Sequence, residues 1–179
     1  KGKMKFFILI NVRRIKKMNY SIFEYKKLAS CNFLGGDTNS FEVKIQENGT
    51  IEYKESDFNK NTLKSEFYQE GVEKIKKSIE DNWQIFDINS RLDNGSLDGY
   101  GNEFWFANEK RNRQILAWNI DNSIDNGYKA SEEYLKKYGE NLKQERVVLK
   151  MFFEICDILK EENFELNLYK FKTNNKSKY

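Results

Sequence analysis

Two alternating runs joined by a three-residue turn constrain this chain more than any other feature of it. In the first run, Phe41 to Gln46, Phe41, Val43 and Ile45 fall on one side; in the second, Thr50 to Ser56, Ile51 and Tyr53 do. Glu47-Asn48-Gly49 between them is a hairpin turn signature. A period of two places the apolar side chains on a single face, so the pair calls for an antiparallel sheet with that face against a core.

The elements that would cover this face follow along the chain. Asn61 and Thr62 are capping residues, and Leu63, Phe67, Val72, Ile75 and Ile79 fall in one stripe, which predicts a helix running to about Asn82. Trp83 to Ile88 reads as a further strand, and Asn89 to Gly101, rich in Asn, Asp, Ser and Gly, as a long loop. Asn102 to Ala107 and Arg113 to Ile120 read as two more strands, with Ile115 and Ala117 on one side of the second and Leu116 and Trp118 on the other. Phe104, Trp105, Phe106 and Trp118 cannot all face one core; either helices cover both faces of the sheet or an aromatic surface is exposed.

Ser131 is a good helix cap, with Glu132 and Glu133 in the first turn, where the helix dipole favours acids. Gly139 predicts a break, after which the pattern resumes from about Asn141 to Glu162. Val148, Phe152, Ile155 and Leu159 form one apolar row there, and Leu149, Phe153 and Cys156 an adjacent one, the mark of a deeply buried helix. Phe164 to Phe171 alternates as a last strand. The order predicts an α+β fold: a single domain over residues 1–179, with a mainly antiparallel sheet packed by two main helices. A basic segment at about 1–17 precedes it and a polar, basic tail at about 173–179 follows. Length agrees, since 179 residues build one domain with a real core.

Function is bounded by what the chain lacks. It has no histidine, which removes the commonest general base and metal ligand. Its two cysteines, Cys31 and Cys156, are too few and too far apart for a zinc site, and Cys156 is expected to pack as a small apolar residue. Neither a metal, a cofactor nor a catalytic group is therefore expected, and the chain reads as a non-enzyme. Phe6 to Ile10 is too short to span a bilayer and lacks the small-residue cleavage site of a signal peptide, so no membrane association is expected and the cytoplasm is the expected compartment.

Charge is unevenly spread. Residues 1–30 carry nine Lys and Arg against Glu24 alone, and residues 170–179 carry four lysines and no acid. Residues 31–169 hold 18 bases and 27 acids, a balance of −9. Such a body repels nucleic-acid phosphate and suits a basic protein partner, because complementary fields speed association. An enzymatic alternative is a metal-dependent nuclease: Glu42-Val43-Lys44 and Glu52-Tyr53-Lys54 match the E-x-K piece of such sites, and Asp37 with Glu52 would hold the ion while Lys54 stabilises developing charge. The same pattern also arises from cross-strand charge pairing on a wet face. The oxygen-rich stretch from Asp87 to Glu103 fails the spacing of a calcium loop.

The stretch Leu97-Asp98-Gly99 through Phe104-Trp105-Phe106 to Trp118-Asn119, followed by the long helix, resembles a pattern found in immunity proteins of bacterial polymorphic-toxin and contact-dependent growth-inhibition systems. The resemblance spans roughly residues 41–171. The proline-bearing motif of one large immunity superfamily is absent, since the chain has no proline. The resemblance implies a cytoplasmic antitoxin that binds one cognate, basic toxin domain, a nuclease, and blocks it. On that reading the acidic segments Asp87 to Glu103 and Asp121 to Glu133 meet the toxin, with Asp87, Asp93, Asp98, Glu103, Asp121 and Asp125 as the contacting carboxylates.

Overall fold

A computed structural model describes residues 19–28, 40–57, 60–67, 69–93, 101–118, 120 and 132–161. In chain order the elements are strands β1 (Ser21–Lys27), β2 (Ser40–Gln46), β3 (Thr50–Asp57) and β4 (Lys60–Phe67), helix α1 (Gln69–Asp81), a 3₁₀ turn (Trp83–Asp87), strands β5 (Arg91–Leu92), β6 (Gly101–Ala107) and β7 (Asn112–Trp118), and helix α2 (Glu132–Glu161). The seven strands form one sheet in the order β4-β3-β2-β1-β6-β7-β5. Every neighbouring pair is antiparallel except β5 with β7. The α+β expectation holds: one sheet with two helices packed on it.

The hairpin forms as its pattern requires. Ile45 opposes Ile51 and Val43 opposes Tyr53. The Gly49 amide donates to the Gln46 carbonyl at 3.1 Å, closing the turn. Gly49 sits at φ 95, a left-handed conformation that an L side chain resists. Asn48 Oδ1 accepts from the Thr50 amide at 3.0 Å and steadies the exit.

The core lies between one face of the sheet and the two helices. Phe23, Tyr25, Val43, Ile45, Ile51, Phe104, Phe106, Ile115 and Ala117 supply the sheet side, Val72, Ile75 and Ile79 the α1 side, and Val148, Leu149, Phe152, Ile155, Cys156 and Leu159 the α2 side. Phe152 is central: its ring lies 4.6 Å from that of Tyr25, 5.6 Å from Phe104 and 6.3 Å from Phe23. The register shifts between Ser21 and Phe23, so Ile22 is the extra residue of a bulge and is buried along with Phe23. The buried Tyr25 hydroxyl donates to Asn102 Oδ1 at 2.8 Å, a polar tie between β1 and β6.

Three expectations are corrected and one strand is added. Residues 60–67 are not the start of a helix: they form β4, paired with β3 from Thr50–Phe67 through Asp57–Lys60. The outer edge of β3 needs hydrogen-bond partners, and that demand overrides the helical spacing of Leu63 and Phe67. Trp83 to Ile88 is not a strand. Its buried residues are Ile85, Phe86 and Ile88, which is no period of two, and Ile85 N–H donates to the Asn82 carbonyl at 3.0 Å. Gly139 does not break α2, which runs through it. Finally, β1 had no counterpart among the expectations, although it lies in the middle of the sheet. Phe6 to Ile10 and the expected last strand at Phe164 to Phe171 lie outside the described residues.

Candidate partner-binding surfaces

The face of the sheet turned away from the helices is set by the residues that alternate with the core ones along each strand. On β1 to β3 it is a lattice of opposite charges. Glu24 stands between Lys44 and Trp105, Lys26 between Glu42 and Glu103, and Glu42 also faces Lys54. Lys44 Nζ lies 3.3 Å from Glu24, and Gln46 Nε2 donates to Glu52 at 3.0 Å. Glu52 and Lys54, the residues of the nuclease alternative, therefore sit in a cross-strand lattice; Asp37 lies outside the described residues. Among the described residues no three His, Cys, Asp or Glu side chains converge on a point that could hold a metal ion. No helix among them is long and apolar enough to cross a membrane.

On β6 and β7 the same face carries large apolar side chains beside Glu103 and Gln114. Phe104 and Phe106 turn inward, whereas Trp105 turns outward and its indole N–H donates to the Ser21 carbonyl at 3.2 Å. Leu116 and Trp118 are 36% and 37% exposed. Trp118 opposes Gly101, where an added Cβ would meet the indole at 3.5 Å and Leu28 at 3.0 Å, so glycine lets the two side chains close over the strand. The alternation expected for β7 holds, and of the two outcomes left open for the aromatics it is exposure that occurs here.

The three described members of the predicted contact set do not gather into one cluster. Asp87 ends the 3₁₀ turn and forms an ion pair with Arg111, whose guanidinium lies over the Phe86 ring, 5.2 Å from its centroid. Asp93 follows β5, beyond the Leu92–Ala117 pair, and is exposed; its carbonyl accepts from Asn141 Nδ2 of α2 at 2.7 Å. The parallel register of β5 on β7 thus sets Asp87 and Asp93 toward opposite ends of β7. Glu103 lies on neither end but on the outer face of β6, where it accepts from Gln114. Asp98, Asp121 and Asp125 lie outside the described residues.

Two concavities stand beside α1. One, of about 250 Å³, lies between α1 and the β6–β7 turn, with Glu73, Lys76, Glu80 and Glu109 on its walls. Lys76 Nζ reaches Glu73 at 3.2 Å and Glu47 at 3.5 Å. Burial works against the Lys76 charge, but Glu73 and Glu47 more than offset it and hold its pKa above the ordinary lysine range. The other is an open groove of about 640 Å³ where the end of α1 meets the outer side of α2. Its floor is Phe153 and Ile158, and its wall is Glu154, Asp157 and Glu161. Trp83, the next residue after the groove residue Asn82, is 60% exposed. Neither Trp83 nor this row was singled out by sequence reasoning. The i, i+3, i+7 spacing of the three acids was a usable signal; the exposure of Trp83 was not, because it follows from the 3₁₀ turn.

No family model matches the chain, and no curated protein matches it either.

Proposed function

We propose that this protein acts by binding another protein, without a reaction of its own, as an immunity protein that neutralises a basic toxin domain in the cytoplasm. The observation that carries the reading is the occurrence of exposed tryptophans beside acidic surfaces on elements anchored in the core: Trp83 directly follows Asn82 of the groove that Glu154 and Asp157 line, and Trp118 shares a face with Glu103, with Asp93 one residue beyond the Leu92–Ala117 pair. Tryptophan dominates the energetic centres of protein interfaces, and flanking acids select a cationic partner. The −9 balance of residues 31–169 supports the same sign of partner, and the resemblance to immunity proteins supports its class. A nuclease toxin displays Lys and Arg for phosphate, and carboxylates presented there would stand in for the substrate.

The test is co-expression with the product of each adjacent open reading frame. A stable complex, together with rescue of growth when that product is toxic, is the expected result; no complex with either neighbour and no protection would overturn the reading. The double change Asp93→Lys with Asp98→Lys probes the acidic segment within it. It should slow association about tenfold at low salt and much less at high salt, because peripheral charges act mainly on the on-rate.

A further inference from the structure

The groove beside α2 combines three properties. Its floor is apolar: Phe153 and Ile158 are half-buried against the core, so their positions are fixed while part of each ring or chain faces outward. Its wall is mainly acidic: Glu154, Asp157 and Glu161 follow one another at helical spacing on a single side of α2, with Lys150 the one base among the described lining residues. Next along the chain from Asn82, one of the lining residues, is Trp83, the most exposed large apolar side chain among the described residues.

The acids are placed against the helix dipole. α2 begins with Glu132 and Glu133, where the positive end of the helix dipole favours them. Glu154, Asp157 and Glu161 occupy its last three turns, toward the negative end, where carboxylates gain nothing from the helix and add to its negative potential. A local preference set aside on a face with an apolar floor points to selection for a ligand. The ligand's charge follows from the wall and its apolar contact from the floor.

We propose that this groove is a docking surface for a basic segment of a protein partner, which seats an apolar side chain on Phe153 and Ile158, stacks against Trp83, and places Arg or Lys against Glu154, Asp157 and Glu161. An arginine suits both features, since a guanidinium pairs with carboxylates and stacks on an indole. The inference rests on the protein-binding reading above and names the partner's chemistry at one surface.

The probe is a synthetic amphipathic peptide of about sixteen residues, leucines on one face and arginines on the other, with a control in which glutamate replaces arginine. Binding is followed by amide chemical shifts on the full chain. The expected result is saturable binding of the arginine peptide alone, with shifts at residues 82–83 and 150–161. Glu154→Gln with Asp157→Asn and Glu161→Gln should weaken it at least tenfold, and Trp83→Ala several-fold. Both variants change exposed or rim positions, and an unchanged far-ultraviolet spectrum will confirm that they fold.

Equal binding of the two peptides, equal binding by parent and triple variant, or shifts confined to another surface would overturn the proposal. So would a dimer that dissociates in the triple variant, which would make a second copy the occupant. Failure here is distinguishable from failure of the general reading. A neighbour complex that forms and protects equally well with the triple variant defeats the groove alone. Groove binding of the peptide with no neighbour complex defeats the immunity reading alone.

Discussion

Gly49 and Gly139 are both glycines in regular surroundings, and their conformations assign them opposite roles. Gly49 closes the β2–β3 turn at φ 95, where an added Cβ crowds its own backbone. Gly139 lies within α2, and a Cβ there would meet nothing within 4 Å. Gly139→Ala should therefore stabilise the protein by about 0.5–1 kcal/mol, by restricting the unfolded chain and favouring the helix. Gly49→Ala should cost about 1–2 kcal/mol, the strain of a left-handed alanine. Urea denaturation of the two variants checks both; midpoints that move in the same direction would contradict the assignment. Gly49 was readable in the sequence because Asn-Gly between alternating runs has one common solution. Gly139 was misread because a glycine in a helical pattern lowers helix propensity by an amount that tertiary packing of Val148, Phe152 and Ile155 easily exceeds.

At the scale of elements, α1 is fastened to the β2–β3 hairpin by Lys76, which bridges Glu73 on its own helix and Glu47 in the turn. The Lys76 ammonium is opposed by its burial and favoured by the two carboxylates, and the net effect raises its pKa. A raised folded-state value means that the bridge contributes its full stability below the unfolded-state pKa of about 10.4 and loses it as pH climbs through the higher folded value. The difference in urea midpoint between the parent and Lys76→Met should be constant up to about pH 9 and shrink as pH climbs above about 10.4, with the parent converging on the variant. A difference independent of pH across that window would show that the ammonium does not carry the contact. Packing of α1 on the sheet was legible from Val72, Ile75 and Ile79, whose spacing only a helix satisfies. The fate of residues 60–67 was not, because Leu63 and Phe67 fit a helix stripe by themselves and only the unpaired edge of β3 decides against it. The candidate surfaces divide the same way. The outward turn of Trp118 follows from alternation, whereas the capture of Asp87 by Arg111 joins two turns that are distant in the chain.

Across the whole molecule, the sheet is held together by a seam that no local pattern announces. β1 sits between β2 and β6, pairing Tyr25 with Val43 on one side and with Phe104 on the other. Its sequence, with Glu24, Lys26 and Lys27 beside a basic run, reads as charge before it reads as strand, and one of its two partners, β6, lies far along the chain. Yet the largest fully buried side chains, Tyr25, Phe23, Phe104, Phe106 and Phe152, all meet there. Exposing one of their amides means parting strands on both flanks and lifting α2 off Phe152, which amounts to unfolding the protein. β5 has only two residues on the edge of β7, and β4 is an outer strand in the order of the sheet, so each can open with far less burial lost. Native-state hydrogen exchange should therefore rank the amides of β1 and β6 slowest, with a free energy of opening equal to that of global unfolding, then β2 and β3, with β5 fastest. The alternative is that the local β2–β3 hairpin, the strongest signal in the sequence, is also the most persistent structure. If the Ile51 and Tyr53 amides outlast those of Tyr25 and Phe104, the hairpin and not the β1–β6 seam is the last element to open. A pattern that is easy to read in the sequence would then also be the most stable part of the fold.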